Sequence, residues 1–410
     1  MLKLDLIHTL ALAGLVLFIG YGLRRVFAPL ARFNIPAPVI GGLVIAVLVA
    51  AARHWGVTLF QFDTTLQSPL MIAFFTTIGF GASLSLLRAG GPQVLLFFIV
   101  AVVFALLQDI LGLFAALTLG MHPLFGVLCG SVTLTGGPAT GLAFASLFEQ
   151  AGITGAASVA VAAAMCGIVS GGLIGGPIGT WLIERHGLKK PLGEPSAREF
   201  PSAVNVAEMQ VEQKPGGSPQ GEGRESYLLM KCFTAILLAM WAGSWVSRGF
   251  TSLGITLPPY IGAMLVASMI RNIDDLTGII GLSQRVIDNI GTVALSLFIV
   301  MALMTLKLWE LAGLALPLLV IIALQVALVS LACFGLIYRI MGRDYEAAVM
   351  SSGFCGFMLG TAANAMASME TIVERYGVAP RAFLVVPMVG VFLIDFANAL
   401  IITAFLNFLG

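Results

Sequence analysis

Two carboxylates lie deep inside apolar runs: Asp109 in "FALLQDILG", and Asp395 in "FLIDFANAL" with Asn398 one helical turn on. An ionisable group at membrane depth is costly. Each is therefore a candidate for ion or substrate handling, the alternative being a structural hydrogen-bond partner that faces another helix. Gln108 and Gln325 either orient a ligand or tie helices together. A second constellation, "GSVTLTGGPATG", sets the hydroxyls of Ser131, Thr133, Thr135 and Thr140 beside Gly136 and Gly137. Glycine lets backbone approach a ligand closely. The N–H groups that open a half-helix suit a carboxylate, whereas freed carbonyls and hydroxyls suit a hard cation that seeks oxygen. The competing reading is a Gly/Ser/Thr packing interface. "GFCGFMLGTAANAMASM" offers the same mixture again, with Gly360, Thr361 and Asn364.

Other polar groups read more simply. Asp288 and Asn289 fall near the end of an apolar run, as cap or interface residues. Lys307 and Glu310 share a helix face beside Trp309, as a snorkelling pair would. Arg375 either anchors the inner boundary or reaches a carboxylate. The five cysteines have no paired spacing and read as small buried hydrophobes, and the four histidines are scattered, so no metal cluster is expected. No nucleophile has a base nearby in the apolar segments, which argues against an enzyme.

These groups must be held by a membrane scaffold. The chain has 410 residues, 59% of them hydrophobic and 10% charged, with a mean hydropathy of +1.01. A soluble domain carries roughly 25% charge. A net charge of +1 gives no reason to expect nucleic acid. Apolar runs predict ten spans, at 6–28, 36–53, 67–87, 93–119, 155–184, 227–249, 257–270, 286–308, 313–341 and 382–409. The first is long enough to be retained rather than cleaved. Stretches 122–149 and 345–371 are apolar but broken by glycine and polar residues. With both termini outside, 17 of the 21 lysines and arginines fall on the cytoplasmic side, as the positive-inside rule requires. The two broken stretches must then enter and leave on one face each, as re-entrant hairpins approaching from opposite sides.

The halves repeat at an offset of about 222 residues. "IPAPVIGG" at Ile35 falls on "LPPYIGAM" at Leu257, Ala89-Gly90 on Ala312-Gly313, Gln108 close to Gln325, hairpin on hairpin, and "MCGI" at Met165 on "MVGV" at Met388. Five spans per half turn the second repeat upside down. The expected fold is all-α, an inverted repeat of five transmembrane helices plus one re-entrant hairpin per half, the architecture of secondary transporters. Residues 1–185 form the first repeat and 227–410 the second. Between them, 186–226 is rich in Pro, Gly, Glu and Ser and reads as a flexible cytoplasmic linker.

The runs "PLMIAFFTTIGF", "GSVTLTGG", "MALMTLKLWELAGLALP" and "FLVVPMVGVFLIDFANALII" resemble the bacterial sodium/glutamate symporters, and the resemblance covers all but the linker. It implies Na⁺-driven uptake of L-glutamate across the inner membrane by a homodimer whose transport domains move against a scaffold. Ser131, Thr133, Thr135, Gly136, Gly137, Thr140, Gly360, Thr361, Asn364 and Asn398 would bind substrate. Gln108, Asp109 and Asp395 would serve the coupling ion, Na⁺. Two positions depart from the family pattern. Pro138-Ala139 stands where members carry His-Gly, and Asp109 where they carry Asn. A carboxylate there could repel an anionic substrate, add a cation ligand or carry a proton. A proton- or Na⁺-coupled carrier of another small carboxylate, citrate-like or another amino acid, is the alternative.

Overall fold

The computed structural model describes residues 2–57, 59–89, 91–188, 224–252, 258–311 and 313–409. Most of the expected linker (189–223) lies outside the described residues, as do Gly90, Leu257 and Ala312 of the repeat alignment.

The first half begins with α1 (Leu6–Val26), α2 (Ala28–Arg32), α3 (Ala37–His54), α4 (Gln67–Gly81), α5 (Leu84–Ala89) and α6 (Gly91–Thr118). It continues with α7 (Pro123–Val132), α8 (Gly137–Gln150) and α9 (Ala156–His186). The second half carries α10 (Arg224–Ser252), α11 (Pro259–Thr277), α12 (Gln284–Met304) and α13 (Ala315–Ile340). It ends with α14 (Tyr345–Leu359), α15 (Ala362–Tyr376) and α16 (Pro380–Leu409). Long helices, a pair of short ones and a closing long helix thus follow one another in the same order in both halves.

Local chemistry sets the ends. Proline opens the first turn of α3, α7, α8, α11 and α16, where its missing N–H costs nothing. Asp5 caps α1 by accepting from the His8 N–H at 2.9 Å, and left-handed Gly187 and Gly278 close α9 and α11. Wide π-type turns interrupt α7, α13 and α16 around Gly130, Gly335 and Gly390, as such turns commonly do where a helix is bent for use.

Among the described residues, eight helices are long and apolar enough to cross a membrane, and the chain is a mostly helical, multi-pass membrane protein. The other two expected spans differ. α4 is 15 residues long because the backbone bends at Ala82 rather than running on to 87, and α11 carries Arg271, Asp274 and Asp275 within 19 residues. One small element was not anticipated: Leu2–Lys3 and Phe60–Gln61 form a two-residue parallel bridge.

The helices pack in two groups. α1, α3, α4, α10, α11 and α12 lie against one another, with the α4 bend fastened to α11 by polar contacts. Asn272 Nδ2 donates to the Ala82 carbonyl at 3.0 Å, and Asn272 Oδ1 accepts from the Leu84 N–H at 2.8 Å. The other group, α6–α9 with α13–α16, encloses most of the buried core. The seam between the groups includes Tyr260 of α11, stacked on Phe75 of α4 and edge-on to Phe144 of α8.

Candidate functional site

Each of the two broken stretches folds as a helical hairpin. α7 runs from Pro123, loses helical geometry at Gly130, and turns through Thr133–Gly136 into α8. Gly137, at the start of α8, has φ +66°, a left-handed conformation that glycine adopts without a Cβ penalty. α14 ends at Leu359, Gly360 turns the chain, and Thr361 caps α15 by accepting from the Asn364 N–H. The tips meet: a Cβ built on Gly137 would lie 3.8 Å from Thr361 Cγ2 and 3.9 Å from the Gly360 carbonyl oxygen. The N-terminal ends of α8 and α15 therefore open onto one place, each with N–H groups not used within its helix.

Polar side chains fix this meeting point. Gln108 uses both ends of its amide: Nε2 donates to the Met358 carbonyl at 2.9 Å, and Oε1 accepts from the Thr135 hydroxyl at 2.7 Å. One α6 residue so holds both hairpins. Beside it, Asp109 accepts from the Ser131 N–H at 2.7 Å and from the Ser131 hydroxyl at 2.8 Å. Gly130 is small of necessity here, since a Cβ would sit 2.7 Å from Asp109 Oδ1. Gln325 Nε2 donates to the Gln108 carbonyl at 2.7 Å, Asn398 Nδ2 to the Ser131 carbonyl at 3.0 Å, and Asn364 Nδ2 to the Ile168 carbonyl at 2.7 Å. Gln108, Asp109, Ser131, Gln325, Asn364 and Asn398 are wholly buried, Thr135 is 6% exposed, and Asp395, three residues before Asn398, is partly exposed.

The remaining predicted residues divide. The Thr133 hydroxyl turns back to the Leu128 carbonyl at 2.8 Å, and Thr140 packs over Gly136, so both shape the first tip from within. Asp395 accepts no hydrogen bond from the described residues. Outside the tips, Asp288 accepts from Gln284 at 2.8 Å. Lys307 pairs with Glu310 at 3.5 Å, while Arg53 lies over the Trp309 ring. Arg375 pairs with Glu184 at 3.4 Å.

Sequence reasoning missed two things. The partners of Gln108, Gln325, Asn364 and Asn398 include backbone carbonyls, whose identity no side-chain pattern announces. It also missed a cavity of about 410 Å³ at the seam, where Gln67 and Ser68 of α4 face Ser146 and Glu149 of α8, with Ser158 and Lys307 nearby. The only available signal was the three-residue spacing of Ser146 and Glu149, which puts both on one face of α8.

Paired hairpins with polar tips buried among membrane helices define a transporter of small polar solutes. The chain belongs to the sodium/glutamate symporter family, whose model matches residues 2–378. It is 40% identical to the sodium/glutamate symporter of Escherichia coli K12 over 410 residues, 99% of this chain and 98% of that one. It is 38% identical to that of Haemophilus influenzae over 396 residues, 96% and 95% of the two chains. The family is one of symporters, not enzymes.

Proposed function

We propose that the protein is a secondary active transporter that carries L-glutamate across the bacterial inner membrane together with Na⁺. One observation supports this most: α8 and α15 begin where the hairpin tips meet. Two helix N-termini aimed at one place supply N–H donors and positive dipole ends for carboxylates, while the surrounding hydroxyl and amide oxygens suit a hard cation. The names and full-length similarity of the bacterial relatives point the same way.

The topology in this reading has ten spans in two inverted repeats, with α7–α8 entering from outside and α14–α15 from the cytoplasm as re-entrant hairpins, and both termini outside. The repeated element order and the distribution of Lys and Arg support it. The two packing groups fit an elevator, in which the group carrying both hairpins moves against the group of α1, α3, α4 and α10–α12, which would supply the contact of a homodimer. Coupling requires Na⁺ to favour the form that binds substrate, so that the two ligands raise each other's affinity.

The test is uptake of labelled glutamate into proteoliposomes with an imposed Na⁺ gradient. Accumulation that collapses when the gradient is abolished is expected. Uptake indifferent to Na⁺ would exclude the mechanism. Asp109 in place of an amide favours a second reading, a proton-coupled carrier of another small carboxylate. That reading requires uptake to follow a pH gradient and Asp109→Asn to abolish this dependence.

A further inference from the structure

Three buried amides around the hairpins share one arrangement. Gln325, Asn364 and Asn398 each donate an N–H to a backbone carbonyl on a neighbouring element. Each leaves its amide oxygen buried with no hydrogen-bond donor among the described residues. The arrangement fixes which way the amides face, because flipping any of them would set oxygen against oxygen. A buried acceptor without a donor loses its hydration with nothing in return, and a cation is the ligand that restores the balance.

Asn398 has a further partner that the other two lack. Asp395 lies three residues earlier on α16, so the two share a helix face. Its carboxylate accepts no hydrogen bond from the described residues and is partly exposed, whereas Asn398 is wholly buried. The pair offers one formal negative charge and one neutral oxygen ligand. Asn398 is also bonded to Ser131 of the first hairpin, so an ion held there would bear directly on the tip. Asp109 is placed differently. Each of its oxygens already accepts from Ser131, and Gly130 packs against Oδ1. Gln108 has both ends engaged.

We infer that the Asp395 carboxylate and the Asn398 amide oxygen form a seat for the coupling Na⁺, and that Asp109 anchors the first hairpin instead of ligating the ion. This assignment rests on the reading of the chain as a Na⁺-coupled transporter. Because Asp395 gives up no hydrogen bond, Asp395→Asn removes the charge and leaves the fold intact, and Asn398→Ala is the companion variant. The full-length purified protein is titrated with NaCl, balanced by choline chloride and without glutamate, following its unfolding temperature. Na⁺-dependent glutamate uptake is measured in parallel in proteoliposomes.

Na⁺ alone should stabilise the parent protein. The half-saturating Na⁺ concentration should rise about tenfold or more in both variants, in line with the loss of a ligand-shell group, with glutamate KM at saturating Na⁺ little changed. Asp288→Asn, whose carboxylate is bonded to Gln284 away from the tips, should leave the titration as in the parent. If the parent ignores Na⁺ in uptake, the transport reading itself fails. If the parent responds and Asp395→Asn keeps the parental half-saturation, or if the loss falls on Asp109→Asn instead, the seat is overturned while the transport reading stands.

Discussion

Ser131 engages both oxygens of the Asp109 carboxylate, with its N–H 2.7 Å from Oδ1 and its hydroxyl 2.8 Å from Oδ2. An asparagine can occupy the same place. Its oxygen would accept from the N–H, and its NH₂ would donate to a hydroxyl turned the other way. Asp109→Asn should therefore change stability by less than about 1 kcal/mol, whereas Asp109→Ala strands two buried donors and should cost roughly 2–4 kcal/mol. Thermal unfolding of the detergent-solubilised protein separates the two, and equal losses would show that Ser131 finds other partners.

α6 and α7 touch backbone to backbone. A Cβ on Gly126 would lie 1.9 Å from the Gly112 carbonyl oxygen, and one on Gly112 would lie 2.2 Å from that of Gly126. No rotamer relieves a clash between main chains, so Gly126→Ala should cost more than the ~1–3 kcal/mol of ordinary overpacking. The expected outcome is loss of the monodisperse peak in size-exclusion chromatography. Gly335→Ala, with open space around it, is the control and should behave as the parent.

The C-terminal end of α11 holds a buried polar clamp. Arg271, 5% exposed, pairs with Asp275 at 2.9 Å. Asp274 accepts from the N–H groups of Ile280, Gly281 and Leu282 at 2.8–2.9 Å. Removing one member of a buried pair leaves the other charge uncompensated, at about 3–5 kcal/mol. Asp275→Ala should lower the unfolding temperature sharply. The double variant Arg271→Met/Asp275→Leu should recover much of the loss, and a double variant no better than the single one would show that the charges serve more than each other.

Orientation has a direct reading at the seam cavity. Ser146 lines it beside Glu149 and Lys307, on the outer side in the proposed topology. In a cysteine-free background, Ser146→Cys should react with a membrane-impermeant maleimide added to whole cells, and Arg343→Cys only after permeabilisation. The reverse pattern would invert the topology.

Much of the fold was legible because membrane depth leaves few options. The stretch 122–149 stood out by its glycines and hydroxyls, and the hairpin runs from Pro123 to Gln150. The early end of α4 was not legible, because Leu84–Ala89 continues the apolar pattern past the bend at Ala82. At the site, residue type announced Gln108, Asp109 and Asn398 but not their partners. Hydrogen bonds to the carbonyls of Met358, Ser131 and Ile168 depend on how helices distant in sequence cross, and a carbonyl looks the same at every residue. Thr133 and Thr140 have the composition of ligands and the geometry of internal braces.

The bare contact between Gly112 and Gly126 has a consequence for the lipid around the protein. With no layer of side chains to slide on, the first hairpin cannot travel without α6. That helix has 28 residues and is about 42 Å long, and it turns Leu95, Ile99, Val103 and Phe114 outward. In the proposed elevator, a displacement of the hairpin would drag this column of exposed apolar surface through a bilayer core of about 30 Å. The surrounding lipid must thin, thicken or tilt the helix at a fraction of a kcal/mol per Å of mismatch. If the proposed elevator operates, acyl-chain length would enter the barrier to each transport cycle, and the host membrane would set part of the turnover rate.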